Sequence, residues 1–156
     1  MSAANDYQDI RDAVRALCAE FPPEYHREVD EKRGYPEAFV DALTKAGWLA
    51  AMIPEEYGGS GLGLTEASII MEEINRAGGN SGACHGQMYN MGTLLRHGSE
   101  EQKRKYLPKI ASGELRLQAF GVTEPTSGTD TLSLSTTAVK KAKRLPNPVH
   151  SGARLG

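Results

Sequence analysis

Prolines and glycines separate stretches in which apolar residues recur every three or four positions, and this punctuation commits most of the chain to short amphipathic helices. Tyr7, Ile10, Val14, Leu17 and Phe21 make one apolar stripe, which Pro22 and Pro23 end. An isolated helix of that length is marginal in water, so the stripe needs a partner to bury it. Pro36 suits a first helical position, Phe39, Val40 and Leu43 give the apolar side, and Gly47 suits the left-handed residue past the last turn. Trp48 to Ile53 then runs apolar into Pro54. Gly58, Gly59, Gly61 and Gly63 form a turn-rich connection, and Thr65 is the expected cap of a helix carrying Ile69, Ile70 and Ile74 up to Gly78. Met88, Met91, Leu94 and Leu95 mark a further helix. Ser99 with Gln102 three residues on reads as a capping box, with Tyr106, Leu107 and Ile110 inward and Lys103 and Lys105 outward. Pro108 is expected to kink that helix or end it early. The fold class expected is mainly α, four to six helices followed by one or two strands.

Beyond Ser112 the period changes from helical to alternating. Leu115, Leu117 and Ala119 alternate with Arg116, Gln118 and Phe120, the pattern of a half-buried strand, and it stops at Gly121. A sharp turn follows, GVTEPTSGTD at residues 121–130. Pro125 fixes φ, Gly128 is free to take a positive φ, and Thr123, Ser127 and Thr129 set three hydroxyls beside amides that have no helical partner. Such a turn can hold a polar ring edge or a phosphate. The plainer alternative is a strand-to-loop connection whose threonines serve local hydrogen bonds.

The same residues, Gly121 to Pro125 with Gly128, Thr129, Asp130 and Ser133, resemble the first signature of the acyl-CoA dehydrogenase family, flavoenzymes that oxidise an acyl thioester to its enoyl form. IPEEYGGSGLGL at residues 53–64, and Glu101, Gln102, Tyr106, Leu107 and Pro108 ahead of Gly113, are similar to the family's amino-terminal half in the same order. The resemblance covers residues 6–141. It implies a helical bundle domain at residues 1–112, the first strand or strands of an incomplete flavin-binding β-domain at 113–139, and a tail without packed structure at 140–156. The implied cofactor is FAD. Backbone groups around Val122 and Thr123, with the Thr123 hydroxyl, would meet the pyrimidine edge; Gly128 and Thr129 would approach the pyrophosphate, Thr129 would also lie near the substrate, and Phe120 near the ring system.

The resemblance further implies α,β-dehydrogenation of an acyl-CoA, electrons passing to an electron-transferring flavoprotein, and a homo-oligomer in the full-length form. In the family the base that removes the α-proton comes from a carboxy-terminal helical domain or a nearby helix, so no residue of this chain is assigned as catalytic. A later strand of the family carries a Trp over the flavin, whereas the sole tryptophan here, Trp48, lies upstream in the helical part. The expectation is therefore an amino-terminal fragment, truncated or frameshifted near residues 140–142, with an incomplete FAD site and no activity alone. The alternative is a non-catalytic helical remnant or interaction module that docks on a complete homologue. Oxidases and monooxygenases of the same architecture also stay open, because the signature reports the flavin more than the substrate.

Composition sets outer bounds. With 156 residues, 39% hydrophobic and 24% charged, the chain can bury one core and little more. A net charge of -2 gives no electrostatic case for nucleic acid or an anionic membrane. Cys18 and Cys84 fit neither a zinc nor a CxxC spacing and read as buried thiols in a reducing compartment; no metal site is expected. Asp6, Asp9 and Asp12 argue against a signal or transit peptide, no later run approaches a membrane span, and the expected location is cytoplasmic. Glu124, next to Pro125, is expected to stabilise the turn rather than act as a base. His85 reads as a core or surface histidine, and Lys140, Lys141, Lys143 and Arg144 as a solvated run.

Overall fold

Helix α1 (Gln8–Ala19) realises the first stripe: Val14 and Cys18 are buried, and Ile10, Leu17 and Phe21 pack on the core. In this computed structural model residues 7–119 and 121–139 are described. They fall into two units, Met1–Ala119 and Phe120–Gly156. Phe120 and the expected tail at 140–156 lie outside the described residues.

A helix that the periodicity does not predict, α2 (Pro23–Glu31), begins at the proline expected only to end α1. Pro23 occupies its first turn, where a missing N–H costs nothing. This helix buries no residue fully, and it is held by ring edges, with Tyr25 5.2 Å from Phe21 and His26 5.0 Å from Phe39 between centroids. Helix α3 (Glu37–Lys45) buries Phe39, Val40 and Leu43, with Pro36 one position earlier than expected, at the N-cap. Gly47 takes φ 81° as the sequence requires, and a 3-10 turn at Trp48–Ala50 follows. A second 3-10 turn, Glu55–Tyr57, ends at Gly58 with φ 86°.

Helix α4 (Leu64–Arg76) is capped by Gly63 rather than Thr65. The Gly63 amide donates to the Glu66 carboxylate at 2.9 Å, the reciprocal half of a capping box, and no side-chain oxygen at the N-cap accepts from the first turn. Helix α5 (Gly82–His97) buries Cys84, Gln87, Met88 and Met91. Helix α6 (Glu100–Ser112) opens on the expected box: the Gln102 amide donates to Ser99 Oγ at 3.2 Å, and the Ser99 amide to Gln102 Oε1 at 2.8 Å. Pro108 does not end it. Both Pro108 and Arg104, whose carbonyl loses its partner there, are exposed, so that oxygen is on the side open to solvent.

The expected strand at 115–119 forms no ladder, and no strand occurs among the described residues. The alternating residues do pack, since Leu115 and Leu117 lie against the core. A strand needs a neighbour for its N–H and C=O groups, and none is present among the described residues. The segment is tied instead by Arg116, which pairs with Glu37 at 2.7 Å and with Asp41, both on α3.

One buried charge joins α1 to α4. The Glu73 side chain has no exposed surface, yet it accepts from Arg11 at 2.5 Å and from Arg15 at 2.7 and 2.9 Å. The two guanidiniums, Arg15 foremost, hold its carboxyl at about 2, against the opposing effect of burial. Burial likewise pushes the Cys84 thiol up to about 12 and raises Cys18, so both stay protonated and unreactive. No helix among the described residues is long and apolar enough to cross a membrane.

Candidate flavin turn and its support

The turn predicted from the sequence closes on itself. Glu124 and Ser127 exchange backbone hydrogen bonds of 2.9 and 3.1 Å across Pro125 and Thr126, the one isolated bridge among the described residues. Ser127 Oγ donates to the Asp130 carbonyl, and the Asp130 carboxylate accepts from the Leu132 amide at 3.2 Å and from Ser133 Oγ. Ser127 is thereby buried and spent on the turn itself.

Glu124 holds the turn, as its place beside Pro125 suggested. Its carboxylate accepts from the amides of Ser135 at 2.8 Å and Thr136 at 2.7 Å, from Ser135 Oγ at 3.0 Å, and from the Thr136 hydroxyl. These donors, the Ser135 amide first, hold the carboxyl at about 2. The ionised form is the one bound, so the tie is complete above the ordinary carboxyl value of 4.5 and is lost as pH falls through about 2. Ser135 and Thr136 amide shifts should titrate together over that window, and in Glu124→Gln the titration should vanish. Independent titration of the two amides would contradict the shared carboxylate. Ser135 and Thr136 were not foreseen, since eleven and twelve residues separate them from Glu124.

The other predicted residues have different surroundings. Val122 is half-buried, and Thr123, Gly128 and Thr129 are exposed. Among the described residues, their four amides and the Thr123 and Thr129 hydroxyls make no hydrogen bond. Gly128 does not use the positive φ open to it; a Cβ there would meet nothing within 4 Å. Its smallness leaves open space above the backbone rather than relieving a strained turn. A cluster of unpaired donors with room for close approach fits an anionic or carbonyl-bearing group such as the polar parts of FAD. Phe120 lies outside the described residues.

The segment leading to this turn is fixed from α5. Asn90 Nδ2 donates to the Leu117 carbonyl at 2.8 Å and the Ala119 carbonyl at 3.4 Å, and also to the Gly86 carbonyl one turn back. Gly86 allows the approach, because a Cβ there would fall 2.6 Å from the Gln118 carbonyl oxygen. Sequence reasoning missed both residues; a glycine and an asparagine four apart on one helix face were the available signal. Gly86→Ala should push the segment off α5 and cost about 1–3 kcal/mol, as overpacking against backbone does. Hydrogen exchange should rise at residues 115–119, and unchanged exchange there would contradict the contact.

Beside this contact, α4 and α5 frame an apolar trough of about 760 Å³, floored by Met52 and Leu62. Leu64, Ala67 and Met71 form one wall, and His85, Met88, Tyr89, Gly92, Thr93 and Arg96 the other. The methionines divide here: Met91 is fully buried, whereas Met52, Met71 and Met88 line the trough.

Comparison with known proteins gives the family of the chain. The family profile "Acyl-CoA dehydrogenase, N-terminal domain" matches residues 4–114. The chain is 36% identical over 142 residues to the mitochondrial isovaleryl-CoA dehydrogenase of Pongo abelii, covering 88% of this chain and 33% of that protein. A solved glutaryl-coenzyme A dehydrogenase in complex with glutaryl-CoA superposes with a TM-score of 0.79 at 31% identity, over 93% of this chain and 38% of the other. An acyl-CoA dehydrogenase complexed with FAD from Bacillus anthracis gives 0.71 at 29% identity, over 88% and 25%. The chain thus spans a third or so of the length of the relatives it matches. By its helical domain and the order of its motifs, the chain belongs to the acyl-CoA dehydrogenase family, as an example of that family's amino-terminal domain.

Proposed function

We propose that this chain supplies the amino-terminal helical domain, residues 1–112, and the first flavin-contacting segment of a β-domain, residues 113–139, to an FAD-dependent acyl-CoA dehydrogenase, and that it is inactive alone. The observation that carries the reading is the donor set at half-buried Val122 and exposed Thr123, Gly128 and Thr129, unpaired among the described residues, in a chain of this family. Bound FAD would accept the β-hydrogen of an acyl-CoA as hydride while a base takes the α-proton, leaving the enoyl-CoA. Val122 and Thr123 would hold the pyrimidine edge and stabilise negative charge there; Gly128 and Thr129 would hold the pyrophosphate, with Thr129 also close to the thioester substrate. No residue of this chain is assigned as the base. Electron-transferring flavoprotein as acceptor, a homo-oligomeric whole protein and a cytoplasmic location belong to the same proposal.

The experiment has two arms. The purified chain, titrated with FAD, should bind it weakly or not at all, because a ligand site buries most of its ligand and residues 121–139 offer one exposed wall. Grafted onto the remaining two thirds of the isovaleryl-CoA relative, the same chain should retain flavin, and the flavin should bleach with an acyl-CoA under anaerobic conditions. A well-folded graft that loses its flavin would overturn the reading. The alternative, a non-catalytic helical remnant or interaction module that docks on a complete homologue, is favoured by a separate observation, the apolar trough that stays open between α4 and α5 among the described residues.

A further inference from the structure

We propose that the cleft between the carboxy-terminal ends of α1 and α4 binds a small-molecule monocarboxylate with a compact apolar body, its carboxylate held by Arg76 and Arg15. The cleft has a volume of about 360 Å³, within the roughly 300–1,000 Å³ range of small-molecule sites. Cys18 and Ala19 from the last turn of α1, Phe21, Pro22 and Pro23 where the chain passes into α2, and Ala77 at the end of α4 make its apolar lining. Pro22 and Pro23 carry no N–H, so that part of the lining offers no backbone donor. Recognition of a polar group falls to side chains.

Charge sets the sign of the ligand. Among the described residues, three charged side chains line the cleft: Arg15, Glu73 and Arg76. Glu73 is fully buried and its carboxylate is already shared by Arg11 and Arg15, so it holds no charge in reserve for a cation. Arg15 spends Nε and Nη2 on Glu73, while its Nη1 reaches only the exposed Asp12, at 3.5 Å. Arg76 forms no ion pair or hydrogen bond with any described residue. Glu72, four residues before it, pairs with Arg11 at 3.0 Å instead. One whole guanidinium and one edge of another are thus left on the same cleft.

The helix ends do not reverse that sign. At the end of α1 the carbonyls of Leu17 and Cys18 accept the Glu20 and Phe21 amides, and at the end of α4 those of Glu73, Ile74 and Asn75 accept the amides of Ala77, Gly79 and Gly78. These oxygens, the negative end of each helix dipole, are already bonded within the main chain. A guanidinium meets a carboxylate through two parallel N–H bonds, which favours this anion over a spherical one. A bare anion would also leave the apolar lining in water, whereas a ring or branched chain beside the carboxylate covers it. The inference does not depend on flavin binding.

The test uses the full chain with labelled alanine methyl groups and, as probes, benzoate, its neutral counterpart benzyl alcohol, and sulfate as a bare anion. Benzoate should shift the Ala19 and Ala77 methyls in a saturable titration and bind about tenfold tighter than benzyl alcohol. Arg76→Gln should lower the benzoate affinity about tenfold while circular dichroism stays unchanged, since the native side chain makes no bond in the fold. Arg76→Lys should restore only part of the loss, because an ammonium cannot supply the paired N–H groups. Ala19→Trp, at an exposed position on the same lining, should abolish binding. Equal affinity for benzoate and benzyl alcohol would reduce the cleft to an apolar surface and overturn the proposal. Displacement of benzoate by sulfate at equal concentration and constant ionic strength would make it a general anion site, and would overturn the proposal too. So would an affinity unchanged in Arg76→Gln, or shifts that spare Ala19 and Ala77.

Discussion

Replacing Arg11 and Arg15 together with methionine should leave Glu73 buried without its cations and lower the unfolding free energy by about 3–5 kcal/mol. The converse substitution, Glu73→Met, should cost less. Glu73 has no exposed surface, whereas the Arg11 and Arg15 side chains are 23% and 42% exposed and can turn to water when the carboxylate is gone. The triple methionine variant should recover most of the loss, because an apolar contact of similar volume replaces a desolvated charge. Urea unfolding of the four proteins settles the order. If the double variant and Glu73→Met lose equal stability, Glu73 is not the stranded group. The same site dictates an acid limb. The native carboxyl is held at about 2 against an ordinary 4.5, so the unfolded chain binds the proton first. Stability from Glu73 is complete above 4.5 and is lost as pH falls through about 2. In Glu73→Met that limb should flatten.

Gly59→Ala is expected to cost about 3 kcal/mol or more, at or beyond the upper end for overpacking, because the obstacle is main chain. A Cβ at Gly59 would lie 2.0 Å from the Ile53 carbonyl oxygen and 2.5 Å from its Cβ. The neighbouring bonds leave no slack: the Gly61 amide donates to that same Ile53 oxygen at 2.8 Å, and the Leu62 amide to Ala51 at 2.8 Å. Ile53 and Ala51 are fully buried, so the strain would pass into the core rather than out to solvent. Thermal unfolding of Gly59→Ala beside Gly61→Ala checks this, since no atom would come within 4 Å of a Cβ at Gly61 and its φ of 63° is the only strain there. Equal losses would mean that backbone conformation, not contact, sets the need for glycine at 59.

The helices were legible where an apolar stripe met a clear terminator. The stripe from Tyr7 to Phe21 became α1, Gly47 took its left-handed turn, and the Ser99 and Gln102 box opened α6. Helix α2 was not legible, because it buries no residue fully and its only signal, Pro23, also reads as the end of α1. Thr65 as the cap, and Pro108 as an early end of α6, misled for a common reason. Each was judged by residue type, while the outcome lay with a neighbour, the Glu66 carboxylate in one case and a solvent-facing carbonyl in the other. The turn at residues 121–130 was readable as a turn, but its closure through Ser135 and Thr136, and the seating of residues 117–119 on Gly86 and Asn90, depend on pairings the linear pattern does not encode. Glu73 was not read from the sequence, although an acid between Ile70 and Ile74 on the apolar face of α4 was the available signal.

The ring of bonds from Glu124 to Ser135 and Thr136 makes the turn's shape a property of thirteen consecutive residues, not of a sheet. A loop that encloses its own carboxylate within so short a stretch pays little closure entropy and can form early, before distant strands pair. It is a portable element: moved to another scaffold with residues 121–136 intact, it should carry its pattern of outward amides with it.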